Sequence, residues 1–561
     1  MNNLTKCISS TLCGYLILFS PLTAQEAFEK WYQLGPETEF STGIRSEEWY
    51  ASASAVKPKT IIVAVLDSGV DIYHPDLKDN IWINKDEIPG NKIDDDHNGF
   101  VDDISGWNFI GGPDGSSVIK ESLEVTREYS KEKVRWEGVD ANQLKGKKKR
   151  EYEAFAAKKE LIETKRENAS LQISQVLEMQ EVVMSALAAA KLELNGDSID
   201  IARLESSGNE ELLVAARIIQ SVEDQGVLVE NIDWLVEVAT SQFKEQIQAS
   251  EDILQYSFNP DYNSRTIVGD NYEDFKNPHY GNNEIKGTFS THGTHVAGII
   301  GAVRDNGEGM NGIADHVAIM GVKIIPDGDE RDKDVANAIR YAVDNGASVI
   351  NMSFGKGYSP EKYLVDNAMK YADKHDVLLV LGAGNESTDI DADPKYPNDT
   401  YTNRKLLRPN RAKNMLSVGA LSPDGGELAI AEFSNYGKNE VDVFAPGVFI
   451  YSTTPDSTYE YLSGTSMAAP VVSGIAALIR SRYPDLSAKQ VKEVIMQSVR
   501  KLPATVTQPG TFDKVSSADL SISGGMVDVV TAMKLASTTK GKAKKKNRMP
   551  ESEYVPIGEK V

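Results

Sequence analysis

Thr60-Ile61-Ile62-Val63-Ala64-Val65-Leu66-Asp67-Ser68-Gly69 is an unbroken apolar run closed by an acid and a turn. A strand with one wet face alternates apolar and polar residues. A continuous run fits a strand buried on both faces, as in a parallel sheet covered by helices. Similar runs recur at Val317–Val322, Ala347–Met352, Val377–Leu381, Met415–Val418 and Val441–Phe444. Helical spacing fills the gaps. Asp332–Asn345 carries Val335, Ala338, Ile339, Ala342 and Val343 on one face, and Tyr363–Lys374, Ser466–Arg482 and Ser487–Arg500 follow. The alternation predicts an α/β fold with a doubly wound, mostly parallel sheet and helices on both faces.

Working outward, residues 118–257 differ in composition. They are rich in Glu, Lys, Ala and Leu and poor in Pro and Gly, and Tyr152–Leu194 and Glu210–Tyr256 have helical periodicity. This predicts an all-helical insertion that divides the α/β unit into residues 59–117 and 258–537. The basic run Lys145–Arg150 reads as a solvated helix start or loop rather than a binding site. Residues 25–58 form a short mixed segment before the first strand. The Lys-rich polar stretch 538–561 reads as a disordered tail.

The chain has 561 residues, a formal charge of −23 and a pI near 4.9. Such an acidic balance argues against a general nucleic-acid or anionic-membrane binder. Lys6, the apolar stretch through Phe19 and Leu22-Thr23-Ala24 read as a signal peptide, residues 1–24, cleaved before Gln25. The expectation is export, to periplasm or cell exterior, with no stable membrane span. Both cysteines, Cys7 and Cys13, lie in that leader, so no disulfide or thiol nucleophile is expected in the mature chain.

Three segments carry chemistry. Asp67 ends the first buried strand, at the sheet edge where α/β proteins bind ligands. His292 opens THGTHVAGI, and Ser466 lies in SGTSMAAP at the start of a small-residue helix. Serine is a poor nucleophile until a base takes its proton, and histidine has the suitable basicity at neutral pH. A buried carboxylate fixes the imidazole tautomer and stabilises the imidazolium. The helix start adds a favourable field and a backbone N–H for a developing oxyanion.

These segments, in the order Asp, His, Ser, resemble the subtilisin family of serine peptidases. The resemblance implies a subtilisin-like fold and a serine endopeptidase acting on protein or peptide substrates. Asp67 is then the orienting acid, His292 the base and Ser466 the nucleophile, while His295 is structural. Leu381–Asn385 (LGAGN) resembles the family's oxyanion turn, which implies Asn385 as oxyanion donor, with Gly382 and Gly384 beside substrate. Asn351–Gly355 (NMSFG) resembles the substrate strand, which implies that Ser353, Phe354 and Gly355 pair with an extended peptide. A catalytically inactive, peptide-binding scaffold on the same fold is the rival reading. A zinc peptidase is disfavoured, because His292 and His295 are spaced i, i+3 with no H-E-x-x-H signature.

Asp94, Asp96 and Asn98 alternate before Gly99 as in a calcium loop, with Asp102 and Asp103 as further candidate ligands. Crowded carboxylates repel without a cation, and the family often carries structural calcium, so calcium is the expected cofactor. Ser105 stands where a full EF-hand loop has its glutamate. Two features depart from the simplest family members. About 35 residues separate the cleavage site from the first strand, too few for the usual folding-assisting pro-domain. The helical insertion lies between acid and base, where it is expected to restrict access or dock a partner.

Overall fold

The opening run folds as β1, Ile61–Asp67, an interior strand of a nine-stranded sheet. The structure is a computed structural model describing residues 28–36, 42–52, 56–224, 226–402 and 411–542. The leader 1–24 and the tail beyond 542 lie outside the described residues. The further strands are β2 (Gly106–Asn108), β3 (Val317–Lys323), β4 (Val349–Met352), β5 (Leu378–Gly382), β6 (Met415–Leu421) and β7 (Val443–Pro446). After the hairpin β8 (Ile450–Thr454)–β9 (Thr458–Leu462) come β10 (Arg500–Lys501), β11 (Thr505–Thr507), β12 (Lys514–Ser516) and β13 (Gly525–Met526).

Across the sheet the order is β10-β13-β7-β6-β5-β4-β1-β3-β2, and every neighbouring pair is parallel except β10–β13. β1 explains why the run is continuous. Its side chains alternate between faces, yet Val63 and Val65 enter one core and Ala64 and Leu66 the other. The first core is covered by α1 (Thr291–Gly301) and α4 (Thr465–Arg482), the second by α2 (Asp332–Asp344) and α3 (Lys362–Lys374). β3 lies on one side of β1 and β4 on the other, so β1 ends at a topological switch point, where a crevice opens.

The segment before β1 is part of the first core. Trp31, Tyr32 and Ile44 are fully buried there. Past α5 (Ala488–Gln497) the chain reaches α6 (Val529–Thr538), whose Val529 N–H donates to the Ile44 carbonyl at 2.9 Å. Asp528 caps α6 and pairs with Arg45 at 3.3 Å and Arg500 at 2.9 Å.

The chain resolves into a sheet-bearing unit, Ala24–Val125 with Asn263–Val561, and a second unit built on Thr126–Tyr262. Val118–Val125, which composition groups with the insertion, stays with the sheet: Val118 packs in the second core, and Glu121 and Glu124 form ion pairs with Arg331 and Lys356.

The second unit is all helical. Its Gly146–Leu194 helix starts earlier than the apolar spacing indicates, with Lys147–Arg150 as an exposed first turn. It buries Phe155, Ile162, Ala169, Val176, Val183 and Ala190, a seven-residue repeat that keeps one seam facing its neighbours. The stretch 210–256, periodic throughout, is interrupted: Glu210–Glu223 and Ile232–Asp252 are separate helices. Gly226 takes a left-handed φ of 84° between them, and Asn231 caps the second through Trp234 N–H at 2.9 Å.

Candidate active site

Asp67 stands at the C-terminal end of β1, fully buried, and its Oδ1 lies 2.7 Å from His292 Nδ1. Ser68 N–H donates to the same oxygen at 2.7 Å. His292 lies in the first turn of α1, which is tied to the β1 turn through Thr294: its Oγ1 donates to the Ser290 carbonyl and accepts from Asp71 N–H at 2.9 Å. The His292 side chain is 36% exposed, so part of the ring is reachable from solvent. Burial pulls its basicity down, but the Asp67 charge and the hydrogen bond outweigh that and hold it above the ordinary histidine value. His295, one turn on, bonds the Ile450 and Glu460 carbonyls through Nε2, and burial pushes it down to about 3, which keeps it neutral and structural.

Ser466 is the second residue of α4. Pro470 has no N–H to offer the Ser466 carbonyl four residues back. Ser353 Oγ donates to that carbonyl instead, at 2.9 Å. Asn351 Nδ2 donates to Ser353 Oγ at 2.9 Å, and Ser473 Oγ donates to Asn351 Oδ1 at 2.8 Å. A proline in the nucleophile helix thus frees the group that attaches the Ser353 strand to it. Ser466 Oγ itself donates to the Ser353 carbonyl at 3.2 Å and makes no hydrogen bond to His292 in this conformation.

Asn385 is held by its oxygen. Thr465 N–H and Oγ1 donate to Asn385 Oδ1 at 2.9 and 3.0 Å, which leaves Nδ2 aimed at the cleft near Gly464 and Ser466 N. The Thr465 hydroxyl also accepts from Gly384 N–H at 3.0 Å. Gly384 has φ 104°, and an added Cβ would collide with Asn435 Nδ2 at 2.3 Å, so the turn requires glycine. Thr465 is a contributor that motif reading missed; its place between Gly464 and Ser466 was the available signal.

A cavity of about 240 Å³ opens beside Ser466. Ser353–Gly355 and Leu381–Glu386 line it, with Met415, Ser417 and Tyr396. Ser353, Phe354, Gly355, Gly382, Gly384 and Asn385 therefore converge on one cleft. Among the described residues, Gly355 N–H and C=O have no hydrogen-bond partner, as an edge awaiting an added strand requires.

The acidic loop is arranged differently from its sequence pattern. Oxygens of Glu87, Asp96 and Asp103 lie within 4.8 Å of one another. Asp94 is taken up by Asn98 and Gly99 N–H, and Asp102 by Gly90 and Lys92 N–H. Asn98 Nδ2 donates to Asp96 and Asp103 at 3.0 and 3.2 Å. Burial pushes the Asp103 carboxyl up to about 7 against hydrogen bonds from Tyr341 and the two asparagines, Asn84 and Asn98. Glu87 joins from outside the Asp-rich string, so spacing did not reveal it. Glu87 itself accepts from Asp95, Asp96 and Asp102 N–H, and carboxylates grouped in this way could hold a metal ion.

The sequence profile of the subtilase family matches residues 58–518. The thermophilic serine proteinase of Bacillus sp. (strain AK1) is 33% identical over 49% of this chain and 61% of its own length. Subtilisin DY of Bacillus licheniformis is 37% identical over 38% of this chain and 71% of its own. The major intracellular serine protease of Bacillus subtilis is 35% identical over 44% and 73%. No described helix is long and apolar enough to cross a membrane. A profile match across the sheet-bearing unit, both sides of the helical insertion included, means that the chain belongs to the subtilase family, a family of serine-type endopeptidases.

Proposed function

We propose that the chain hydrolyses peptide bonds with Asp67, His292 and Ser466 as a catalytic triad and Asn385 as oxyanion donor. The observation that carries this reading is the 2.7 Å Asp67–His292 bond at the switch-point end of β1. Ser466 at the N-terminus of α4 and the clamped Asn385 amide support it.

An extended substrate pairs with Ser353–Gly355 and sets its carbonyl carbon against Ser466. The Ser466 hydroxyl leaves the Ser353 carbonyl and turns to His292 Nε2. His292 accepts the proton as Oγ bonds the carbonyl carbon, and Asp67 stabilises the imidazolium. The carbonyl oxygen, now an anion, receives hydrogen bonds from Asn385 Nδ2 and Ser466 N–H. His292 returns the proton to the departing amine, leaving an acyl-Ser466 ester. Water, deprotonated by His292, attacks that ester, and His292 returns the proton to Ser466 Oγ as the acid is released.

Residues 1–24 act as a leader in this reading, with export as the consequence; the N-terminal sequence of the mature protein should then begin at Gln25. Calcium held by Glu87, Asp96 and Asp103 would brace the loop without entering the reaction. The deciding experiment is labelling by a fluorophosphonate probe, lost in Ser466→Ala. Well-folded protein that takes no label across about pH 6–9, where the histidine base is active, would leave the peptide-binding scaffold instead.

A further inference from the structure

The substrate strand Ser353–Gly355 needs a fixed far end, because a peptide can add to it only if its backbone is held straight. Its near end is fixed by β4 and by the Ser353–Ser466 bond. The far end is Lys356. Its backbone exchanges two 2.9 Å hydrogen bonds with Tyr396, which also lines the cleft. Its ammonium is buried, 2.8 Å from Glu124 Oε2, 2.7 Å from the Glu330 carbonyl and 3.0 Å from Asp332 Oδ1.

Both acidic residues are tied to other segments, Asp332 by its carboxylate and Glu124 by its main chain. Asp332 accepts from Ser359 Oγ at 2.9 Å and from Glu361 N–H at 2.9 Å, holding the loop that follows Lys356. Glu124 N–H donates to Asp329 Oδ2 at 2.8 Å. A buried ammonium held between two buried carboxylates fixes its own backbone strongly, since breaking a buried ion pair is costly. Glu124 also ends the lead-in to the helical unit, which begins at Thr126.

We propose that Lys356 is a positioning residue for substrate, and that Glu124 and Asp332 hold the substrate strand in register through it. The inference rests on the reading of Ser353–Gly355 as the strand that pairs with peptide. It predicts a division between substrates. Long peptides that use the strand depend on the clamp; small acylating agents that meet only Ser466, His292 and the oxyanion donors do not.

The test is Glu124→Gln, which keeps the volume and leaves Lys356 its Asp332 and Glu330 partners. The KM for a tetrapeptide p-nitroanilide should rise about 3–10-fold, with kcat and the fluorophosphonate labelling rate within about 2-fold of wild type. Unchanged KM in folded protein overturns the proposal. So does a proportional fall of labelling and peptide hydrolysis, the signature of a merely structural pair. If Glu124→Gln does not fold, Ser359→Ala loosens only the Asp332 grip and is read the same way, with a KM rise of about 2-fold expected. Wild-type protein that takes no label, or label that survives Ser466→Ala, would be a failure of the proposed function rather than of the clamp.

Discussion

Gly464 precedes Thr465 and Ser466 with φ 161° and ψ 161°, extended backbone open to any residue. A Cβ added there would lie 3.5 Å from Asn385 Nδ2, 3.5 Å from Ser466 N and 3.7 Å from Ser466 Cβ. Those are ordinary contact distances for carbon, so Gly464→Ala should fold. An oxyanion, however, needs to come within about 2.7–3.1 Å of the same two nitrogens. The methyl group and the anion compete for one space. An oxygen pushed off one donor loses about 10²–10³ in kcat, the range set by the oxyanion asparagine of subtilisin. Displacement from both costs more. Stability should move the other way or hardly at all, because replacing glycine at a compatible position restricts the unfolded chain by about 0.4–1 kcal/mol. The assay pairs kcat and KM on a tetrapeptide p-nitroanilide with a thermal melt. A variant with an unchanged melt and a kcat within about 3-fold of wild type, far from the loss expected of a missing donor, would remove Asn385 and Ser466 N–H from the oxyanion role.

Further outcomes are expected. His292 is raised above the ordinary histidine value, so kcat/KM should collapse as pH falls through a pKa above about 6.5; Asp67→Asn should move that limb down and lower kcat about 10⁴-fold, as a pH–rate profile reads. The same pair stabilises the fold fully below the unfolded histidine pKa, and that contribution is lost as pH rises through the higher folded pKa. Calcium at 100 times its Kd should stabilise by about 2.7 kcal/mol, seen as a melt that falls with chelator, and Glu87→Gln should abolish the response. Excision of residues 128–259 behind a short Gly-Ser linker should keep fluorophosphonate labelling but change the ratio of casein to small-peptide hydrolysis; an unchanged ratio sinks the idea that the helical unit restricts access. The cut spares Glu121 and Glu124, which belong to the sheet-bearing unit.

Much of this was legible from local signals. Runs such as Ile61–Leu66 specify strands because burial on both faces leaves no room for polar residues, and the motif residues follow at the ends of those strands. What was missed depends on distance. Glu87 meets Asp96 and Asp103 by loop folding, and no periodicity encodes that. Lys356 and Glu124 are far apart in sequence and look like any surface charges until burial pairs them. Helical spacing runs on through 224–231 because Val229 falls seven residues after Val222 and keeps the period there; the break comes from Gly226 backbone geometry and the Asn231 cap. Trp31 and Tyr32 sit in a short mixed segment with no pattern of their own, yet they enter the core.

That last placement bears on the order in which the molecule can assemble. Ile44 and Val529 share a backbone hydrogen bond, and Arg45 meets Asp528. Contacts so distant in sequence close a very long loop, and such closures are slow. On a ribosome, Trp31, Tyr32 and Ile44 emerge before the α6 segment and wait for it before their site is complete. The first core, which contains residues of α1 and α4, the helices that carry His292 and Ser466, is therefore sealed only once α6 has been made. Chain connectivity alone builds in a delay before the triad is held on a finished support.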